Sequence, residues 1–446
     1  MTLTIPHVIH DFIEKIRIHN VWQRIIIPRL IAGMLLWQGE INFSTLAKAI
    51  LTENRNRSSI QRFFSRERFR SRDIYTVASN FMIEQEQKAE YKRIWVVIID
   101  GTSNKRGGFT KIENAVQYRK KSKGKKGSST KAHTFIMGIL ITEKGTRIPL
   151  PRRTWYTRSY CRKHKRKYIS MVKLMGLMIE KLNVPENVQV IILADEYFEG
   201  KEIKDVCDRN SYIYICPVDS RRRFGNGTKR EGSTLYKHGK WIARNGLETI
   251  LLIPGKEETV SYRRYTCEKE MKNKRTYRAT SELRNVAGLG LVRVVYSWKT
   301  PVYDPRRDDS RQSYKVLVTN GVELKTRQII EYYELRWQIE IFFREIKSSI
   351  GMCHYRGTSF EAFEKYIDMI LLSFLFLEYL RKCLLEKTRS KAKRKEIGKA
   401  RTTEMIYRLS LIALEDDMAY IAEAARIKGG IGKLLKTIKG NLKIAA

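Results

Sequence analysis

Two runs of consecutive apolar residues constrain the fold of this chain most strongly, because each run ends in an aspartate. The runs are Arg93–Asp100 (RIWVVIID) and Val188–Asp195 (VQVIILAD). Such runs predict central strands that are buried on both faces of a sheet. A charge at the end of a buried strand is costly unless it is solvated, paired or bound to a metal ion. Two of them predict a shared cation site, although capping of the following loop would explain each aspartate separately.

The segments around these runs predict a mixed sheet. After the first run, strands are predicted over Thr134–Thr142 and Thr146–Leu150, which complete an antiparallel meander. Helices are predicted over Tyr168–Leu182 and Glu202–Arg209, and a further strand over Tyr212–Val218. Three antiparallel strands, followed by helices that alternate with strands, are the element order of a ribonuclease H-like α/β fold.

Helical regions are predicted at both ends of the chain. Near the N-terminus, Ser44–Leu51 and a helix from Ser58 to Arg68 flank a polar turn, which favours either a DNA-binding helix-turn-helix or a plain helical hairpin. The C-terminal region is rich in Lys and Arg. We therefore expect a helical DNA-binding region over 1–75, a ribonuclease H-like domain over 90–218 and 316–380, a β-rich insertion over 219–315, and a basic helical region over 381–446.

The charge of the chain indicates a large anionic partner. Lys and Arg number 87 against 47 Asp and Glu, so the net charge is +40, and DNA, RNA or an anionic membrane surface are the candidates. The chain contains no uncharged apolar run of 18 residues, so no membrane span is predicted, and the first 20 residues do not resemble a secretory signal. Six scattered cysteines without a CxxC pair argue against a disulfide framework or a zinc site, and favour a reducing, cytosolic compartment.

Two basic segments are candidates for contact with phosphates. One is the loop 119–131 (RKKSKGKKGSSTK). The other is a run of cations, namely Arg152, Arg153, Arg158, Arg162, Lys163, Lys165, Arg166 and Lys167. Each cation that neutralises a phosphate adds salt dependence to DNA binding. The alternative for both segments is generic solubilising charge.

A third carboxylate is expected on a helix that crosses the same edge of the sheet, and the candidate segment is Tyr332–Lys347 (YYELRWQIEIFFREIK). At about 100° per residue, Leu335, Ile339, Phe342 and Ile346 gather on one core face. Glu340 lies on a polar ridge beside that face, whereas Glu334 and Glu345 point away from the ridge. Tyr333, Arg336, Arg344 and Lys347 lie within about 40° of Glu340 on either side. Pairing of Arg336, Glu340 and Arg344 on a solvated face is the alternative.

The spacing Tyr333-x2-Arg336-x3-Glu340-x6-Lys347 resembles the Y-x2-R-x3-E-x6-K signature of the DDE transposases of bacterial insertion sequences, specifically the family that carries the YREK signature. The resemblance also covers Ile99-Asp-Gly-Thr102 and Leu193-Ala-Asp-Glu-Tyr-Phe198, and it spans roughly residues 90–380. It implies a ribonuclease H-like catalytic domain with a β-rich insertion before the helix that carries the glutamate.

The resemblance also implies the chemistry. Asp100, Asp195 and Glu340 would be the catalytic residues and would hold two Mg²⁺ ions, for which Mn²⁺ can substitute. One ion would activate a water or a 3′-hydroxyl, and the other would stabilise the leaving oxygen of an in-line displacement. The expected reaction is strand cleavage at transposon ends and transfer of the 3′-hydroxyl end to target DNA.

Further residues would bind DNA. The resemblance assigns Tyr333, Arg336 and Lys347 to phosphates near the reacting strand, and Arg344 is a further cation beside Glu340. Trp298, in the predicted insertion, is a candidate for stacking on an unpaired base, with burial in a strand core as the alternative. The expected partners are double-stranded DNA, both terminal inverted repeats and target DNA, and a second copy of the chain when assembled on DNA; no membrane partner is expected.

Two other functions remain open at this point. One is a folded but inactive DNA-binding protein derived from a transposase, against which the intact trio of acids argues. The other is a different ribonuclease H-like nuclease, which the YREK spacing and the predicted insertion disfavour. For the active enzyme we expect the bacterial cytoplasm, at the nucleoid.

Overall fold

The computed structural model describes most of the chain and shows one central sheet, with helical regions before and after it in the sequence. The described residues are 5–37, 46–47, 57–65, 69–86, 93–106, 112–119, 129–219, 221–225, 234–235, 237–239, 277–299, 314–355 and 359–426. The helices are α1 His7–Lys15, α2 Val21–Leu36, α3 Arg57–Ser65, α4 Ser71–Glu86, α5 Arg158–Lys163, α6 Met171–Ile179, α7 Lys201–Arg209, α8 Thr326–Glu334, α9 Trp337–Arg344, α10 Phe360–Lys387, α11 Lys391–Lys399 and α12 Thr402–Arg426.

The strands in these ranges form one mixed sheet. They are β1 Arg93–Arg106, β2 Val116–Arg119, β3 Ser129–Ile141, β4 Arg147–Pro149, β5 Arg153–Thr154, β6 Val188–Leu193, β7 Ile213–Pro217, β8 Tyr277–Val286, β9 Gly290–Lys299 and β10 Tyr314–Thr319. The order across the sheet is β2-β3-β1-β6-β7-β10-β9-β8, and β4 and β5 also pair with β3. Strands β1, β6 and β7 are parallel neighbours, whereas β3 and β10 run antiparallel to theirs. The predicted ribonuclease H-like mixed α/β fold, with helical N- and C-terminal regions, is confirmed.

Strand β1 is longer than the apolar run that predicts it. The run ends at Asp100, but the strand continues to Arg106 because the long strand β3 pairs with every residue of this extension. Asp100 therefore lies within β1, opposite Met137, and not at its end. Packing against β3 is tight. A Cβ atom at Gly138, which pairs with Ile99, would come within 2.8 Å of the Leu150 side chain.

Helix α10 lies at the centre of the helices, and its apolar segment Ile367–Leu380 is almost wholly buried. Two acids in this segment are paired inside the protein. Asp368 contacts Arg152 Nε at 2.8 Å, and Glu378 Oε1 contacts Arg147 Nη2 at 2.8 Å. This pairing is what permits charges in a buried helix. No helix among the described residues is long and apolar enough to cross a membrane.

The N-terminal helices pack directly on α10. Ser71 Oγ donates a hydrogen bond of 2.7 Å to Asp368, and the ring of Phe64 contacts that of Tyr366. Helix α3 confirms the helix predicted from Ser58. Of the other helix predicted here, Ser44–Leu51, all but residues 46–47 lies outside the described residues, and the DNA-binding helix-turn-helix stays a prediction.

Strands of the predicted insertion extend the central sheet. β9 pairs with β10, and β8 pairs with β9 at the edge. The predicted strand Thr249–Ile253 lies outside the described residues, and the domain boundaries stay predictions. Helix α8 begins at Thr326 after the cap residue Lys325, as the sequence predicts.

Candidate active site

The register of two parallel strands brings Asp100 and Asp195 side by side. β1 pairs with β6 up to Ile98 and Leu193, and each aspartate lies two residues further along its own segment. Side chains alternate along extended backbone, so both carboxylates lie on the same face as that last pair. Asp195 keeps extended torsion angles (φ −87°, ψ 166°) after β6 ends. Because neighbouring strands are about 4.8 Å apart, the matching offset makes these two acids neighbours.

Glu340 comes from α9, which packs on β1 and β3. The sequence predicts one continuous helix over Tyr332–Lys347, and this prediction is wrong in detail. The backbone N–H groups of Leu335 and Arg336 bond three residues back instead of four, so α8 ends and α9 begins anew. A π-helical turn, Glu345–Ser349, follows α9. The predicted core face is confirmed, since the side chains of Leu335, Ile339, Phe342 and Ile346 are buried.

Arg336 links two of the three carboxylates. Its Nη1 lies 3.6 Å from Asp100 Oδ2 and 3.6 Å from Glu340 Oε1. The side chains of Arg336 and Asp100 are 16% and 17% exposed, whereas that of Glu340 is 39% exposed. Burial acts to lower the pKa of Arg336, but Tyr333, Asp195, Asp100 and Glu340 together raise it. The guanidinium is therefore the positive charge at the centre of this acidic cluster.

The ionised form of Asp100 is destabilised in this cluster. Burial is the main cause that raises its pKa from 3.8 to about 6, and the negative charges of Asp195 and Glu340 act in the same direction. A 2.6 Å hydrogen bond from the Gly101 N–H and the charge of Arg336 lower the pKa but do not offset the burial. A carboxylate held in this way is stabilised by any cation that comes close to it.

The other two residues of the YREK spacing lie beside this cluster. The ring of Tyr333 is buried under Lys315 Nζ, 5.4 Å from the ring centroid, and burial raises the pKa of its hydroxyl beyond the usual range. Lys347, in the π-helical turn, is partly buried, and burial lowers its pKa although Cys353, Glu340 and Asp100 act to raise it. The structure thus brings Tyr333, Arg336 and Lys347 together around the acids.

Two residues predicted to bind DNA, Arg344 and Trp298, are not placed beside the acids by the described side chains. Arg344 lines a separate cavity of about 280 Å³ between α9 and the start of α12, shared with Glu345, Ser348, Arg401 and Thr402 among others. Trp298 lies in β9 opposite Tyr314, and its side chain is outside the described residues.

The sequence does not predict two neighbours of Lys347, nor the buried arginine that pairs with the π-helical turn containing Lys347. Lys105 and Cys353 both affect the pKa of Lys347. Lys105 is missed because β1 is predicted to end at Asp100. This arginine is Arg147, whose side chain is 2% exposed. Its Nη1 lies 2.8 Å from Glu345 Oε2, and its guanidinium lies 4.9 Å from the ring centroid of Phe374. Glu345 points away from Glu340, as the helical spacing predicts, and the buried guanidinium is its partner.

The basic run after the meander divides into buried and exposed cations. Arg152 is predicted to contact phosphate, and this prediction is wrong, because its guanidinium is buried between Glu364 and Asp368. Arg153 is partly buried and donates a hydrogen bond to the Leu177 carbonyl. Arg158, Arg162, Lys163, Lys165, Arg166 and Lys167 are exposed. In the predicted basic loop, 120–128 lies outside the described residues.

The donor set of the site fits a hard divalent cation. Carboxylate oxygens from two strands and one helix are ligands that Mg²⁺ and Mn²⁺ prefer, and Asp100 carries an uncompensated burial cost. Among the described residues, however, no three His, Cys, Asp or Glu side chains are arranged closely enough to hold a metal ion. Arg336 is the cation between Asp100 and Glu340 in this arrangement.

The mixed sheet and the helices that follow it are those of a ribonuclease H-like transposase domain. Residues 91–376 match the family described as the transposase DDE domain. The match covers well over half of the chain and includes Asp100, Asp195 and Glu340, and the chain belongs to this family. Membership implies DNA binding and a polynucleotidyl transferase or endonuclease ancestry, and such transposases generally use divalent metal ions. No curated protein matches the chain.

Proposed function

We propose that the protein is an active DNA transposase of the YREK-signature family. It cleaves DNA at the terminal inverted repeats of its element and transfers the resulting 3′-hydroxyl end to target DNA. The observation that carries this proposal is the matched offset of Asp100 and Asp195 beyond the last β1–β6 pair, with Glu340 joined to Asp100 through Arg336. Acids from distant parts of the chain that gather around one buried cation are typical of a functional site.

Asp100, Asp195 and Glu340 would hold the metal ions, which we propose are two Mg²⁺, with Mn²⁺ able to substitute. When bound, the ions would activate the attacking oxygen and stabilise the leaving oxygen of the displacement. The chain's own part is to hold the three carboxylates on rigid elements. The sheet fixes two of them, and the packing of α9 on β1 fixes the third.

The cations around the acids have separate proposed roles. The guanidinium of Arg336 neutralises Asp100 and Glu340 when no metal ion is bound. We propose that a bound metal ion replaces it there and that Arg336 then contacts a DNA phosphate. Lys347 would contact a phosphate of the same strand. Tyr333 is too deeply buried for a broad contact with DNA, and it supports the position of Arg336. Arg344 and Trp298 remain candidates for contacts further along the DNA.

Double-stranded DNA at the transposon ends and at the target is the proposed substrate. The exposed cations of α5 and the residues after it, Arg158 to Lys167, offer a surface for the phosphate backbone. We propose that the chain works as a homodimer when assembled on DNA, in the bacterial cytoplasm at the nucleoid.

Cleavage of DNA that carries the element's ends tests this proposal. Asp195→Asn and Glu340→Gln should each abolish metal-dependent cleavage and leave DNA affinity within about twofold, because each removes one ligand oxygen and one charge. Glu196→Gln is the matched control, since Glu196 is adjacent to Asp195, exposed, and expected to be dispensable. Normal cleavage by either variant would remove that acid from the site.

The same assay separates the alternatives. An inactive DNA-binding derivative would bind end-containing DNA without cleaving it at any concentration of Mg²⁺ or Mn²⁺. A ribonuclease H-like nuclease would cleave but would not join the 3′ end to a second DNA molecule. Strand-transfer products, detected by sequencing of the junctions, are expected only for the transposase.

A further inference from the structure

The segment that contains α11 carries a cluster of exposed cations. Between residues 387 and 401 the chain has eight Lys and Arg side chains and one acid, a local net charge of +7. The acid, Glu396, contacts Arg408 of α12. All eight cations are exposed, and they are Lys387, Arg389, Lys391, Lys393, Arg394, Lys395, Lys399 and Arg401. We call these eight residues the α11 patch.

Buried contacts hold the patch on the body of the protein. The side chains of Ile397 and Ala400 are buried. Arg381 of α10, which is also buried, donates hydrogen bonds from Nη1 to the Ile397 carbonyl at 3.0 Å and to the Ala400 carbonyl at 2.7 Å. At the other end of α11, the Ser390 hydroxyl accepts a hydrogen bond from the Lys393 N–H. Helix α11 thus has a capped start and an end that is fixed on α10, and its cations project from a defined support.

The patch continues into the cavity between α9 and the start of α12. Arg401, the last residue of the patch, lines this cavity of about 280 Å³ together with Arg344 of α9. The acid in the cavity wall, Glu345, is already paired, because its carboxylate lies 2.8 Å from Nη1 of the buried Arg147. Serine and threonine hydroxyls complete the polar part of the wall. Guanidinium and hydroxyl groups are the donors that bind phosphate oxygens, so the wall suits a phosphate group.

The cavity lies between the catalytic acids and the patch. Arg344 follows Glu340 by four residues on α9, which places it about 6 Å further along the helix and about 40° around it. A DNA strand with one phosphate at the acids can therefore continue past the cavity to the patch. Helix α11 has nine residues and is about 14 Å long. At about 3.4 Å per base pair, it spans about four base pairs of a duplex.

The composition of the segment favours DNA of any sequence as its partner. Residues 387–401 include no Asn, Gln or aromatic side chain, the types that read adenine edges or stack on bases. The one large apolar side chain of the segment, Ile397, is buried, so the segment offers no apolar face to a membrane. Lys and Arg alone bind the phosphate backbone without regard to sequence. A terminal repeat is recognised by its sequence, whereas the DNA beyond it differs at every insertion.

We propose that the α11 patch and the cavity lined by Arg344 and Arg401 bind the phosphate backbone of duplex DNA beyond the terminal repeat. The proposal rests on the proposed function, because it takes the transposon end to lie at the three acids. Its ligand is duplex DNA of arbitrary sequence, which is either the DNA that flanks the element or the target DNA. The patch therefore supplies affinity for DNA, and the terminal repeat is recognised elsewhere on the protein.

The test measures DNA affinity of the full-length protein by fluorescence anisotropy without divalent metal, so that cleavage does not contribute. Three duplexes are compared: a transposon end without flanking DNA, the same end with a random flank, and a random duplex. The double variant Lys393→Glu/Lys395→Glu should weaken binding of the random duplex at least about tenfold and lower its salt dependence by about two ions. Its affinity for the end without flank should stay within about twofold of the wild type.

Two further variants separate the local effect from general charge and from misfolding. Lys173→Glu/Lys181→Glu is the matched control, because it changes the net charge equally at exposed positions on and after α6. Helix α6 packs against Gly138, which pairs with Ile99 on the face of the sheet opposite Asp100, so this variant should bind all three duplexes as the wild type does. Lys393→Gln/Lys395→Gln adds no new charge and should act in the same direction as the Glu variant, with a smaller effect. Thermal melting should be equal in all four proteins.

The duplexes also distinguish the two sources of the DNA. Loss of the extra affinity that the flank provides assigns the patch to flanking DNA. Loss of binding of a second, random duplex by a complex that already holds the end without flank assigns it to target DNA. The proposal is overturned if the Glu variant binds the random duplex as the wild type does, or if its affinity for the end without flank falls equally. A wild type that does not prefer the end to the random duplex contradicts the proposed function instead, and the random duplex still tests the patch.

Discussion

Replacing Asp100 by Asn should make the metal-free protein more stable while it abolishes cleavage. The cause is the burial that raises the pKa of this carboxyl from 3.8 to about 6. The folded protein binds the proton more tightly than the unfolded chain does. Ionised Asp100 therefore costs stability, and the cost is absent below pH 3.8, grows as the pH rises, and is complete above pH 6. Asn has nearly the same shape, can still accept the Gly101 hydrogen bond, and carries no charge.

The size of the effect follows from the two pKa values. Each pKa unit corresponds to about 1.4 kcal/mol, so the cost of ionised Asp100 is about 3 kcal/mol at pH 8 and about half of that at pH 5. Asp100→Asn should raise the free energy of unfolding by up to this amount. Loss of the contact with Arg336 does not reverse the sign, because the influence of Arg336 is already contained in the pKa.

Urea unfolding of wild type and variant at pH 5 and pH 8, without divalent metal, measures the difference. Mg²⁺ should then stabilise the wild type more than the variant, because the metal relieves the same burial cost. Glu196 is exposed, so the free energy of unfolding of Glu196→Gln should change between pH 5 and pH 8 by the same amount as that of the wild type. A variant that is less stable than the wild type at pH 8, by as much as at pH 5, would refute the reasoning.

Four further substitutions have outcomes that follow from the structure. Arg147→Met leaves the buried Glu345 carboxylate without its partner and removes one of the two arginines that contact Glu378, so it should lower the free energy of unfolding by about 3–5 kcal/mol, which Glu345→Gln in the same protein should partly restore. Arg336→Met removes the cation beside Asp100 and Glu340 and should lower the Mg²⁺ concentration that half-saturates thermal stabilisation; an unchanged midpoint would contradict competition between the two cations. Gly138→Ala should cost about 1–3 kcal/mol through its clash with Leu150, whereas Gly398→Ala, which meets no atom within 4 Å, should gain up to about 1 kcal/mol; chemical denaturation measures both.

The sequence predicts the elements of this site better than their joints. The apolar runs before Asp100 and Asp195 identify two central strands, because a buried parallel strand needs apolar side chains on both faces. Helical spacing also places Glu340 beside the core face correctly. It does not reveal the change of hydrogen bonding at Leu335 and Arg336, because both residues keep helical torsion angles and no proline or glycine marks the break.

Burial of single charges is equally hidden from the sequence. Arg152 stands in a row of cations whose members from Arg158 to Lys167 are exposed, yet it is buried because it pairs with Glu364 and Asp368, which lie more than 200 residues later in the chain. The same holds for Arg147 and Glu345. Pairs that are distant in the sequence leave no local pattern, so periodicity cannot predict them.

The packing of the N-terminal helices on α10 sets an order of events during synthesis. Ser71 and Asp368 are 297 residues apart, and the apolar face of α2, including Ile27 and Ile31, is buried in the same core. At a translation rate of about 5–20 residues per second, the nascent N-terminal helices wait about 15–60 s for their partner. During that time their apolar surface is open to chaperones and to other nascent chains. A ribosome that stops before residue 360 therefore releases an N-terminal region that lacks the helix on which it is built.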